Sequence, residues 1–331
     1  MLRNVIAASV LAVGVGVTSA DAQDLSRMKG SIKIDGSSTV YPITEAVAEE
    51  FGEVAPRVRV TVGISGTGGG FKRFTVSETD ISDASRPIKK KELDKAIENE
   101  VDFIEIPVAY DGLSIVVNKA NYWVDNLTID ELKKVFLESS TAAKTWKDVR
   151  STWPAVPIKI YAPGTDSGTF DYFREVVAGK TGSIRSDMSV SEDDNVLVRG
   201  VSGDEGAIGF FGCAYYFENK DKLKVAPIVN PKTGKAVTPS SKTIEGGSYA
   251  PFSRPLFIYV SKKSAARPEV KAFVDFYLTE GPDLAEEVGY VRLPREVQDR
   301  AKKKFATLHT GTHFLTKDGE KKSGPVTEIY K

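Results

Sequence analysis

Three short stretches, Gly36-Ser-Ser-Thr-Val-Tyr-Pro42, Ser65-Gly-Thr-Gly-Gly-Gly-Phe-Lys72 and Thr165-Asp-Ser-Gly-Thr-Phe170, combine glycine with small hydroxylated residues, and each leads into helix-like sequence. The first N–H groups of a helix have no intrahelical partner, and the macrodipole adds partial positive charge there. Hydroxyls on a glycine-spaced backbone at such a start can wrap an oxyanion without carrying net charge. Three such starts in one chain predict a single convergent anion site.

The surrounding pattern is that of an α/β chain. Ser31–Ile34 alternates as a strand; Ile43, Val47 and Phe51 then recur at i, i+4, i+8 as one helical face, with Pro42 suited to the first turn. Val58, Val60, Val62 and Ile64 alternate before the second loop, and Ile158–Tyr161 forms a strand before the third. Asp80–Pro87 predicts a short strand ending in a turn, followed by a charged helix over Lys89–Glu98. Phe103–Pro107 and Leu113–Val117 are β-rich runs, expected to be broken by Asp111-Gly112, and a domain crossing is placed there. Beyond it, Thr128 with Glu131 forms a capping box with a Leu127–Leu132 staple. Ser191 with Asp194 is expected to start a helix, Ala207–Phe211 to form a buried strand, and Pro255–Ser261 to return the chain to the first domain. Helices are predicted over Glu269–Leu278 and Glu296–Phe305. The expected fold is thus α/β, two domains joined by two crossings.

Met1-Leu-Arg3, an apolar run from Val5 to Val17 and Ala20-Asp-Ala22 match a secretory signal, so residues 1–22 are expected to be removed and the chain exported. The run of about 13 residues is shorter than the roughly 20 that a membrane-spanning helix needs. With 45 basic and 45 acidic residues the chain carries no field for nucleic acid or anionic lipid. A lone cysteine, Cys213, excludes an intramolecular disulfide and reads as core filler.

Rival chemistries fail on spacing. A dinucleotide fingerprint built on Gly66 and Gly68 would need glycine where Phe71 stands, and a P-loop would need Gly-Lys-Ser/Thr where the chain has Phe71-Lys72-Arg73. Gly164 lies one residue too far from Ser167 for a nucleophile elbow. The two histidines, His309 and His313, stand in the C-terminal tail, so neither a Ser-His-Asp arrangement nor a completed metal site is expected, and the chain reads as a binding protein without cofactor. Ser38 and Thr39 can serve either as an ordinary N-cap or as ligand donors. Arg86, where a short strand ends beside Ser85, is either a surface arginine or a bidentate partner for a tetraoxyanion. A carboxylate matters as well, because phosphate at neutral pH carries a proton that needs an acceptor, whereas sulfate does not.

Taken together, Gly36–Pro42, Gly66–Lys72, Asp80–Pro87, Asp166–Phe170 and Gly206-Ala-Ile-Gly-Phe210 resemble, in order, the motifs of the phosphate-binding proteins of bacterial ABC transporters, which have the type II periplasmic binding-protein fold. The resemblance implies a monomeric periplasmic receptor that closes two lobes around inorganic phosphate and delivers it to a membrane permease. It implies lobe one over 30–110 plus 258–331 and lobe two over 111–257. The ligand residues it points to are Ser38, Thr39, Val40, Ser65, Thr67, Ser85, Arg86, Ser167, Gly168 and Thr169, with Asp83, Asp111 and Asp166 as candidate proton acceptors. In the best-known branch an arginine stands four residues before the serine of the Ser-Gly-Thr loop, where this chain has Pro163, and an aspartate stands where this chain has Ser85. The resemblance is therefore to a second branch, in which Ser85-Arg86 takes the arginine's part. The alternatives are a receptor for sulfate or molybdate and, from a different class, a secreted phosphatase.

Overall fold

The computed structural model describes residues 25–331 apart from Asp166, Lys180, Thr181, Glu192 and Ser323; the expected signal segment and one candidate acceptor, Asp166, lie outside the described residues. The chain opens with β1 (Gly30–Gly36), α1 (Tyr41–Val54), β2 (Val58–Ile64), α2 (Gly66–Phe74), β3 (Ile81–Ala84), α3 (Lys90–Glu98) and β4 (Phe103–Asn118). It continues through α4 (Ile129–Phe136), α5 (Trp146–Val149), β5 (Lys159–Ala162), α6 (Gly168–Val177), β6 (Ser189–Val190), α7 (Asp194–Gly203), β7 (Ala207–Gly212) and α8 (Cys213–Glu218). Then follow β8 (Leu223–Val225), β9 (Ile228–Val229), β10 (Ala236–Val237), α9 (Ser241–Glu245), β11 (Ser253–Ser261), α10 (Lys262–Ala265), α11 (Pro268–Glu287), α12 (Arg295–Ala306) and α13 (Val326–Ile329).

Strands β9 and β10 pair as a separate antiparallel ribbon, and the main sheet follows the path β2-β1-β3-β11-β4-β7-β5-β6, with β8 also on β4. Parallel pairs β1–β2, β1–β3, β5–β6 and β5–β7 stand at its two ends, as expected where strands alternate with crossover helices. Two antiparallel strands, β4 and β11, occupy the middle, and the protein is a two-lobed α/β fold with these as its crossing strands.

Where a break at Asp111-Gly112 is expected from composition, β4 runs unbroken for 16 residues, all of them buried. Its first part pairs with β11, from Phe103↔Ser261 to Gly112↔Ser253, and its last part with β7, from Leu113↔Gly212 to Val117↔Ile208. Gly112 marks a close approach instead of a turn: a β-carbon there would lie 2.8 Å from Ile244 and 3.0 Å from Cys213 Sγ. Helix α11 likewise runs past its expected end at Leu278 and through Pro282, because Leu278, Gly281 and Ala285 keep its inner face buried. Asp193, not Ser191, caps α7, its side chain accepting from the Asn195 N–H.

Local signals account for much of the rest. The Thr128 hydroxyl accepts from the Glu131 N–H at 3.1 Å, while the Glu131 carboxylate accepts from the Thr128 N–H at 2.9 Å. Trp123, Trp146 and Trp153 pack edge to face beside α4 and α5. Cys213 is buried, accepts from Ser114 Oγ, and burial pushes its thiol up to about 12, which keeps it unreactive. Buried Glu105 of β4 accepts from Tyr259 Oη, Thr312 Oγ1 and the His313 N–H, each at 2.7 Å, and so ties the C-terminal segment to the sheet.

Candidate functional site

The ends of β1 and β2 turn into the first two hydroxyl-rich loops, and the end of β3 turns into Ser85-Arg86. The Ser37 N–H bonds the Asp83 carbonyl at 3.0 Å, the Ser65 N–H bonds the Gly36 carbonyl at 3.1 Å, and Thr67 Oγ1 accepts from the Ser85 N–H at 3.1 Å. Three consecutive strand ends are thereby stitched together, and the first turns of α1 and α2 point to the same side. Across from them α6 starts at Gly168, capped by Ser167, whose hydroxyl accepts from the Thr169 N–H at 3.2 Å. A β-carbon on Gly168 would fall 2.8 Å from the Thr39 Cα. Glycine is needed there for backbone to meet backbone.

Beside this contact opens a cavity of about 570 Å³. Ser37, Ser38, Thr39, Gly66, Thr67, Ser85 and Arg86 form one wall; Asp171, Tyr172, Arg174, Glu175 and Gly179, on and just beyond α6, form the other, and Arg254 of β11 bridges them. The structure thus brings Ser38, Thr39, Thr67, Ser85 and Arg86 onto one surface. Ser167, Gly168 and Thr169 do not line it; they stand at the start of α6, where Gly168 meets Thr39. Val40 is fully buried, and its N–H is held by the Ser37 carbonyl. Ser65 turns away, donating to Asp35, which also pairs with Arg73 at 2.7 Å.

Neither described acceptor candidate lines the cavity. Asp83 lies wholly buried behind the loops, both oxygens without a hydrogen-bond partner, and burial pushes its carboxyl up to about 8, with the nearby Thr44 hydroxyl opposing and Asp35 adding to the rise. Asp111 stands behind Arg254, bonded to its Nε at 3.2 Å; burial raises its carboxyl while the guanidinium pulls it down. The carboxylates on the wall are Asp171 and Glu175.

Each cavity arginine has an acidic neighbour. Arg86 gives Nη1 and Nη2 to Glu92 at 2.8 and 2.7 Å, Arg174 pairs with Asp171 at 3.2 Å, and Arg254 meets Asp111 and Glu175. No anion-loop motif singles out Arg254, although the chain carries a signal for it: Ser253-Arg254-Pro255 repeats the tripeptide Ser85-Arg86-Pro87. Among the described residues no three or more His, Cys, Asp or Glu side chains gather as a metal site, and no helix is long and apolar enough to cross a membrane.

The model of the PBP superfamily domain matches residues 20–280. Protein SphX of Synechococcus elongatus is 50% identical over 296 residues, covering 89% of this chain and 87% of that one. The phosphate-binding protein PstS of Staphylococcus haemolyticus is 42% identical over 296 residues, covering 88% and 91%. The crystal structure of a possible phosphate binding protein from Planctomyces limnophilus superposes with a TM-score of 0.82 at 45% identity, covering 85% of this chain and 99% of that one.

Proposed function

The chain belongs to the PBP superfamily and, within it, to the group that includes SphX and the PstS phosphate-binding proteins, and on that premise we propose that it is a receptor for inorganic phosphate, not an enzyme. One observation carries the reading: the starts of α1 and α2, on one side of the β4–β11 crossing, share a single cavity with Tyr172 and Arg174 of α6, on the other, and its walls combine hydroxyls, helix-start backbone and arginines. Such a surface holds a tetrahedral oxyanion by hydrogen bonds from every side. It holds no histidine base for hydrolysis of a bound ester.

In this reading Ser38, Thr39, Thr67, Ser85 and Arg86 bind from lobe one, and Ser167, Gly168 and Thr169 from lobe two. The lobes are 30–110 plus 258–331 and 111–257, and they close by bending at the two crossing strands. A cavity of about 570 Å³ exceeds what a five-atom anion fills, since each water takes about 30 Å³, so closure has water to expel. The chain is exported through its N-terminal segment, works as a periplasmic monomer, and hands phosphate to the permease of an ABC transporter.

Thermal unfolding tests the assignment. A ligand that binds only the native form stabilises it by about 2.7 kcal/mol at one hundred times its dissociation constant. Phosphate and arsenate are expected to raise the melting temperature of protein freed of anion by unfolding and refolding, and sulfate and molybdate to do little. Stabilisation by sulfate alone would favour the other oxyanions, and release of phosphate from a chromogenic ester would favour the phosphatase.

A further inference from the structure

The two Ser-Arg-Pro tripeptides end in the same cavity. Proline disfavours helical backbone in the residue before it, so each arginine leaves extended chain sideways. What holds the two guanidinium groups differs. Arg86 spends both Nη atoms on Glu92, a two-point pairing that closes its fork. Arg254 gives one nitrogen to each of three partners: Nε to Asp111 Oδ2 at 3.2 Å, Nη1 to Glu175 Oε2 at 3.3 Å and Nη2 to Thr39 Oγ1 at 3.1 Å. Its guanidinium carbon lies 3.6 Å from the Tyr172 ring centroid.

These partners are not equally firm. The side chains of Arg254 and Asp111 are 14% and 5% exposed, whereas that of Glu175 is 69% exposed. Asp111 and the Tyr172 ring therefore fix the guanidinium in place, and Glu175 reaches it from solvent through one long bond, a contact of little net strength. A guanidinium anchored at Nε, with its Nη1–Nη2 edge toward the cleft, presents two parallel donors that match two oxygens of one anion.

We propose that Arg254 is a principal anion-binding cation of the site: Asp111 anchors its Nε, and its Nη1–Nη2 edge takes two oxygens of the bound anion in exchange for Glu175. The proposal rests on the reading of the cleft as a phosphate receptor. It adds an arginine from crossing strand β11 to the one that Arg86 offers from lobe one, and it makes Glu175 a built-in competitor. Asp111 is a positioning residue. Because Arg254 also touches Thr39 at the start of α1 and Tyr172 on α6, the anion is read where the two lobes meet.

Calorimetric titration of anion-free protein with inorganic phosphate tests this, with thermal melting of each variant as the folding control. Arg254→Gln is expected to weaken binding about 100-fold, from the loss of charge-assisted bonds, and Arg254→Lys about tenfold, since lysine keeps the charge and loses the fork. Glu175→Gln is expected to tighten binding severalfold at low salt, with the gain fading as salt rises. Phosphate affinity of a folded Arg254→Gln within threefold of the wild type overturns the proposal; should that variant fail to fold, an unchanged Arg254→Lys does so. Weaker binding by Glu175→Gln overturns the exchange. Wild-type protein that ignores phosphate overturns the receptor reading itself, a result separable from wild-type binding that the Arg254 variants leave unchanged.

Discussion

Gly168 and Thr39 face each other with no side chain between their backbones, a β-carbon on Gly168 having its nearest neighbour, the Thr39 Cα, at 2.8 Å. Gly168 is the first residue of α6, and Thr39 leads into α1.

Gly168→Ala is therefore expected to hold the two helix starts apart. The added methyl lies at a helix start, where alanine is well tolerated, so stability without ligand should change by less than about 1 kcal/mol. Phosphate affinity should fall at least about tenfold. Calorimetry and a melting curve check both halves, and unchanged affinity would mean that the working form never brings these turns together.

Ser38→Ala and Ser167→Ala probe the two sides separately. Each is expected to cost about 1.5–3 kcal/mol of phosphate binding, as for a hydrogen bond to a charged group. Only Ser167→Ala should also lower ligand-free stability, by about 1 kcal/mol, because Ser167 caps α6. The double variant should show coupling if one ligand spans both residues, and strict additivity would argue against a shared anion.

Arg86→Ala should weaken phosphate binding by about 1.5–3 kcal/mol, since it removes a cavity-wall cation and leaves Glu92 unopposed beside the site. Lys72→Ala should cost less than about 1 kcal/mol, because Lys72 lines a separate cavity on the outer side of α2. Equal small losses in titration would move Arg86 out of the binding surface.

Asp83 makes a prediction about pH. Its carboxyl is pushed up to about 8 in the folded protein, against about 3.9 for an unperturbed aspartate, so between these values the native state holds a proton that the unfolded chain has released. Its contribution therefore falls as pH rises from about 4 to about 8 and is flat beyond both limits. Asp83→Asn keeps a neutral side chain of the same shape and removes this slope. Denaturant midpoints should show the variant gaining on the wild type from pH 5 upward, by at most about 1.4 kcal/mol for each pH unit, and levelling off once the Asp83 carboxyl has ionised. A constant difference between the two proteins from pH 5 to pH 8.5 would contradict the reading.

The elements were legible because they rest on local chemistry: the alternation of Val58–Ile64, the Thr128–Glu131 box and the glycine-hydroxyl loops each act within a few residues. The unbroken β4 was not, because what carries a strand through Asp111-Gly112 is burial by β11 and β7, which are distant in sequence. The same holds for the site. Thr67 and Ser85 announce themselves by motif, whereas the part of Arg254 depends on Asp111, 143 residues earlier, Thr39, 215 earlier, and the ring of Tyr172. Glu105 likewise draws its three donors from β11 and the C-terminal segment, and no local pattern marks it.

The single buried strand β4 also governs how the molecule comes apart. A hinge made of loose linker would let each lobe melt by itself, but here the same 16 residues are a central strand for both, and β11 lies along them from Phe103 to Gly112. Neither lobe can lose its sheet without stripping the other of a neighbour, and neither can be excised by cutting the chain once. The receptor is expected to bend as two bodies and unfold as one, in a single cooperative step.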